Sequence, residues 1–199
     1  MYAQLNTKTV FSFMDATVKL TDYITAAKTL GYQTLGISDV DNLHAAHQFI
    51  TQAKAAGIQP VIGYETTLLL DGLAINFTFI AKTNAGLQNL YSISSKKNFG
   101  YNNFSDIHSH LCDVALILPA DSAVDSILTH LPQNDVFVGL AQPMAQGFLR
   151  PTIPFLSVRY LNAGDAETLA ILHHVKNGTK YDDSLTSNHF ESLRLESEV

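Results

Sequence analysis

Two neighbouring segments of this chain carry the same device, and together they fix its fold class. Lys19 to Leu30 places Leu20, Tyr23, Ile24, Ala27 and Leu30 at a helical period and stops at Gly31. Asn42 to Ala56 repeats this with Leu43, Ala46, Phe49, Ile50 and Ala53 and stops at Gly57. Each helical stretch leads into a short apolar run, first Thr34 to Ser38 ending on Asp39, then Gln59 to Glu65. Strand, helix and strand at this spacing predict parallel strands joined by right-handed crossovers, hence an α/β fold.

An earlier apolar stretch, Tyr2 to Asp15, reads as an opening strand that breaks into a polar turn. After Glu65 a hairpin is predicted, with arms Thr66 to Leu70 and Leu73 to Ala81 joined through Asp71-Gly72, a favoured type I′ pair. Asn84 to Ser95 is helical, and Lys96 to His110 is a polar loop marked by Gly100, Asn102 and Asn103. Val114 to Leu118 is an apolar strand ended by Pro119, Ser122 to Leu131 a helix, and Asp135 to Leu140 a strand. Ala141 to Pro154, with prolines at 143, 151 and 154, predicts little regular structure. Phe155 to Tyr160 is the last strand, and Asp165 to Lys176 a final helix with its stop at Gly178. From Thr179 onward the chain turns polar and shows no core face.

Six or seven strands, most followed by a helix, form either an open doubly wound sheet or a barrel. No glycine-rich loop follows the first strand, which removes the dinucleotide and P-loop readings and favours closure. In a barrel the side chains at the carboxyl ends of the strands converge on one face. Those ends are Asn6, Thr7 and Lys8, then Asp39 and Val40, Glu65, Asn76 in the hairpin, and Ser157 to Arg159.

Composition narrows the function classes. At 199 residues and 46% hydrophobic content the chain has the size of one domain with a real core. A formal charge of −6 argues against direct nucleic-acid binding by this domain, which would need cations to replace the counterions of phosphate. Cys112 is the one cysteine, so no internal disulfide is expected, and with no leader or membrane-length apolar run the expected compartment is the cytoplasm.

Several stretches resemble one family: Phe11-Ser12-Phe13-Met14-Asp15, Ser38-Asp39-Val40-Asp41-Asn42-Leu43, Ala55 to Glu65, Ala81 to Leu90 followed by Ser94-Ser95, and Val158-Arg159-Tyr160-Leu161 followed by Asp165. In this order they resemble the polymerase and histidinol phosphatase (PHP) domain that begins the alpha subunit of bacterial DNA polymerase III, DnaE type. The resemblance runs from Gln4 to about Asp183, so the domain is placed at 1–183 and residues 184–199 are read as a polar tail of an excised fragment. It implies a distorted seven-stranded (β/α) barrel, TIM-like, with an inserted β-hairpin. Active relatives bind three zinc or manganese ions and hydrolyse phosphoesters, whereas the parent polymerase domain uses magnesium.

The family's ligand positions fall on residues that are poor ligands here. Its opening His-x-His falls on Asn6 and Lys8, the histidine after Asp39 on Val40, a later one on Asn76, and the closing Asp-x-His on Ser157 and Arg159. Asp15 and Glu65 remain as carboxylates. Lysine must lose its proton to coordinate a metal and arginine cannot, so Lys8 and Arg159 are expected to fill the metal space and pair with Glu65 and Asp15. The resemblance therefore implies a degenerate site with no resident cofactor. It also implies a structural role, bracing the remainder of the alpha subunit and docking a proofreading exonuclease or another replisome protein. The alternative is a metal-dependent phosphoesterase or 3′-5′ exonuclease with unusual ligands. His44 and His47, His108 and His110, and His173-His174 are read as non-ligands, Cys112 as a buried small hydrophobe, and Asp39 as the cap of the helix after it.

Overall fold

The structure, a computed structural model, describes residues 3–120, 124–141 and 147–179. Six helices and six strands follow in the order α1 (Leu20–Thr29), β1 (Thr34–Val40), α2 (Ala46–Ala55), β2 (Gln59–Leu70), β3 (Leu73–Ala81), α3 (Asn84–Asn98), α4 (Phe104–Ile107), β4 (Val114–Pro119), α5 (Val124–Leu128), β5 (Val136–Leu140), β6 (Thr152–Pro154) and α6 (Asp165–Asn177). The strands form one curled sheet in sequence order. β1 and β2 are parallel, β3 is antiparallel to both β2 and β4, and β4, β5 and β6 are parallel again.

The two-residue period of the strands sorts the core into two layers. One cluster lies between the sheet and its helices and includes Ile37 and Tyr64 with Tyr23 of α1 and Phe49 of α2, whose rings stack 6.3 Å apart. The other is built on Ile80, Ile117 and Phe155, with Leu5, Val61, Ala115, Phe137 and Ile153 packed on it. Val61 and Ile80 belong to this inner cluster. Two and four residues further along their faces come Gly63 and Glu65 on β2, and Thr78 and Asn76 on β3, so the inner face turns from apolar to polar.

The hairpin forms as the sequence predicts. Leu70 pairs with Leu73, and Asp71 and Gly72 both take positive φ, 51° and 81°, as a type I′ turn requires. Its first arm is continuous with the third predicted strand, so that β2 runs unbroken from Gln59 to Leu70.

Three expectations are corrected. The stretch Lys96 to His110 is not an open loop: α3 continues to Asn98, and Asn103 and Asp106 form a capping box that starts α4, whose Phe104 and Ile107 are buried. Phe155 to Tyr160 is not a regular strand; the sheet's last strand is Thr152–Pro154, at the edge, where Pro151 and Pro154 cost no ladder bond. The opening stretch is not a regular strand either. Its Gln4 bridges Leu35 of β1, its Thr7 bridges Val158, and the amide of Lys8 donates to the carbonyl of Val158 at 2.9 Å. Glycine at 36 permits this approach, since a Cβ there would lie 2.9 Å from the Leu5 Cα and 3.0 Å from the Gln4 carbonyl oxygen.

Among the described residues the sheet thus has six strands, within the six or seven that the periodicity predicts and one fewer than the seven-stranded barrel that the resemblance implies. The start of the helix expected at Ser122 and the domain boundary expected at 183 lie outside the described residues. Among the described residues no helix is long and apolar enough to cross a membrane.

Candidate functional site

The polar end of the inner face is centred on Lys8, whose side chain is fully buried. Its ammonium lies 2.6 Å from Glu65 Oε2, and donates to Asn6 Oδ1 at 2.6 Å and to Ser38 Oγ at 2.9 Å. These three acceptors match the three N–H bonds of an ammonium. Ser38 donates onward to Asn6 Oδ1 at 3.2 Å, and Glu65 accepts from Asn76 Nδ2 at 3.2 Å and from Thr78 Oγ1 at 3.4 Å. The residues come from the opening stretch, β1, β2 and β3, brought together because alternate side chains of adjacent strands share a face.

Burial pushes the Lys8 ammonium below the ordinary lysine range, with the Arg159 charge acting in the same direction and Glu65 opposing both. For Glu65, burial pulls its carboxyl upward, but the charge of Lys8 and the hydrogen bonds from Lys8 and Asn76 outweigh it and the net direction is down. Because the ammonium has a full set of acceptors and the carboxylate has three donors, we read the pair as ionised.

A second group forms around Asp15. Arg159 Nη1 stands 3.7 Å from its carboxylate and donates to its carbonyl at 3.3 Å, while Arg159 Nε donates to Ser157 Oγ at 3.3 Å. Two residues of α6 that sequence reasoning did not nominate complete it: His173 Nε2 at 3.4 Å and Lys176 Nζ at 2.8 Å from Asp15. Burial lowers the His173 ring below the ordinary histidine value; Asp15 opposes this, and Arg159 and Lys176 reinforce it.

Asp39 belongs to neither group and is not a helix cap. It accepts from the Thr9 amide at 2.6 Å, from Thr9 Oγ1 at 2.8 Å and from Ser12 Oγ at 2.7 Å, which fastens the turn within the opening stretch. Helix α2 begins well beyond it, at Ala46. Val40 contributes its amide, which donates to Ser12 Oγ at 3.0 Å. Ser38 and Thr78 were also missed, although the two-residue period from Gly36 and from Ile80 could have placed them on the inner face. Cys112 is exposed rather than buried.

The sequence profile of the PHP domain matches residues 4–142. The chain belongs to the PHP domain family. It is 36% identical over 180 residues to the DNA polymerase III subunit alpha of Streptococcus pyogenes serotype M3, a match covering 89% of this chain and 17% of that protein. It is 31% identical over 209 residues to the subunit of the same name from Staphylococcus epidermidis, covering 97% of this chain and 19% of that protein. The chain therefore spans less than one-fifth of the relatives it matches. Two solved structures are similar to about half of this chain, a provisionally assigned metal-dependent phosphoesterase of Bifidobacterium adolescentis and an amidohydrolase of Chromobacterium violaceum. The TM-scores are 0.40 and 0.38, at 18% and 17% identity, over 47% and 49% of this chain and 32% and 34% of those chains.

The metal cluster implied for active PHP domains does not fit these residues. The point where the oxygens of Asn6, Ser38 and Glu65 converge holds the chain's own cation, and a second fixed charge, Arg159, stands by Asp15. Among the described residues no three of His, Cys, Asp and Glu approach one another at metal-binding distances. An ammonium and a guanidinium offer a divalent cation repulsion and no lone pair.

Proposed function

We propose that this chain is the PHP domain of a DNA polymerase III alpha subunit, with a structural rather than hydrolytic role. The residues Asn6, Lys8, Asp15, Asp39, Val40, Glu65, Asn76, Ser157 and Arg159 are the remains of the family's metal site, rebuilt as a charge-balanced polar core with no resident metal. The domain spans 1–183, and its opening stretch stands in for the seventh stave of a closed barrel between β1 and the segment around Val158. It braces the rest of a cytoplasmic polymerase subunit, whose nucleotidyl transfer takes place elsewhere, and offers a docking surface to a proofreading exonuclease or another replisome protein without touching nucleic acid itself.

The observation that carries this reading is the Lys8 ammonium, buried, fully hydrogen-bonded and ion-paired with Glu65 at 2.6 Å. A bridging water or phosphate oxygen needs a Lewis acid at such a point, and an ammonium held by three acceptors has no orbital to offer one.

Two measurements on the purified chain test it: transition-metal content by mass spectrometry, and hydrolysis of a phosphodiester and of a single-stranded DNA 3′ end with excess manganese or zinc. The expected result is no stoichiometric transition metal and no turnover above the protein-free control. Two or more bound ions, with turnover that disappears in both Glu65→Ala and Asp15→Ala, would replace this reading with that of a metal-dependent phosphoesterase or exonuclease.

A further inference from the structure

We infer that Asn6, Ser38 and Glu65 form a binding site for a primary ammonium ion, and that Lys8 is its tethered occupant. The inference deepens the reading of the site given above: it concerns which cation the cradle is built for.

Three features of the cradle define its ligand. Its acceptors are oxygens of three different kinds, an amide carbonyl, a hydroxyl and a carboxylate, at 2.6, 2.9 and 2.6 Å from one nitrogen. Those are hydrogen-bond lengths, and each acceptor takes one of the three N–H bonds. Of the charges that act on the ammonium, Glu65 and Asp39 are negative and Arg159 positive, a net of one negative charge that balances a monovalent cation; a divalent ion would be left with excess charge in a buried site. The acceptors are also held by bonds other than those to the ammonium: Ser38 donates to Asn6 within the cradle, and Asn76 and Thr78 orient the Glu65 carboxylate from outside it.

Because Lys8 supplies the cation from the opening stretch while Ser38 and Glu65 stand on β1 and β2, the occupied cradle also ties that stretch to the sheet. Removing the ammonium and the stem without moving the acceptors should leave a hole shaped for a short alkylammonium ion.

The test is chemical rescue of Lys8→Ala in the full 199-residue chain, read as the thermal midpoint. The variant is expected to melt roughly 10 °C below the parent, since Glu65 is left buried and unpaired. Millimolar n-propylammonium, whose three carbons and nitrogen replace Cγ to Nζ, should recover at least half of that shift. Equimolar tetramethylammonium, which has the charge but no N–H, should recover none, and Lys8→Ala/Glu65→Ala should not respond to propylammonium. Equal recovery by both ions, or none by either, would overturn the ammonium site. Recovery by micromolar zinc or manganese would also overturn it, by showing that the cradle prefers a metal once Lys8 is gone. If Lys8→Ala does not fold, Lys8→Gly expressed in the presence of n-butylammonium, one carbon longer to fill the Cβ space as well, replaces it, with soluble yield as the readout and tetramethylammonium again as the comparison. The wild-type metal and turnover assays judge the domain's function separately, so a failed rescue leaves that reading in place and a positive turnover assay leaves the cradle's selectivity to be read on its own.

Discussion

Lys8 Nζ and Glu65 Oε2 lie 2.6 Å apart with the lysine side chain wholly buried and the glutamate side chain 10% exposed. A pair this deep is asymmetric in its response to mutation. Removing one partner strands the other charge in the interior, which costs about 3–5 kcal/mol, whereas removing both can be close to neutral. Glu65→Ala is therefore expected to lose about that much stability in urea unfolding, and Lys8→Met/Glu65→Gln to recover most of it. A double variant as unstable as the sum of its single variants would show that the two groups do not act as a pair.

Acid should weaken the fold in two stages. His173 is held below its ordinary value of 6.5 by burial, with Arg159 and Lys176 acting the same way and Asp15 against. The unfolded chain thus takes up this proton first, so the contribution is complete above the unfolded value and is lost as pH falls through the folded one. Glu65 is held below its ordinary 4.5; its contribution is present above that value and is lost at lower pH, as the folded-state group titrates. Urea midpoints measured down the pH scale should fall in both windows, and His173→Gln should abolish the upper decline alone.

Asp39→Ala should release the turn within the opening stretch. Three hydrogen bonds from Thr9 and Ser12 end on this carboxylate, and bonds to a charged acceptor are worth about 1.5–3 kcal/mol each. A loss of roughly 3 kcal/mol is expected, together with faster hydrogen exchange at the Thr9 amide. Unchanged exchange there would mean that the turn is held by other contacts.

Gly36→Ala tests the seam between the opening stretch and β1. Its Cβ would meet backbone atoms at 2.9 and 3.0 Å, which cannot yield as a side chain can. A cost of about 1–3 kcal/mol and increased protease cleavage before Val10 are expected. An N-terminus as resistant as the parent's would show that the seam widens without cost.

Much of the framework was legible because it is local. Gly31 and Gly57 follow helices α1 and α2 and take φ near +80°, and Asp71-Gly72 makes the turn that its residue types require. The misread segments lack such signals. Thr152–Pro154 is three residues long between prolines, and its pairing with β5 rather than its own pattern makes it a strand. Phe104 and Ile107 look isolated in a polar stretch, yet they are buried, with the Phe104 ring 5.1 Å from that of Phe77.

The α/β class, the turn positions and the residue types at the strand ends can be read from the chain alone, since they follow from periodicity and backbone preference within a few residues. The pairings of Lys8 with Glu65 and of Arg159 with Asp15 match the expectation drawn from the resemblance. Tertiary structure alone adds His173 and Lys176 of α6 to Asp15, and the acceptors Asn6 and Ser38 to Lys8. These added contacts depend on the register and curl of the sheet, which sum over many interactions distant in sequence, and burial makes a missing partner costly.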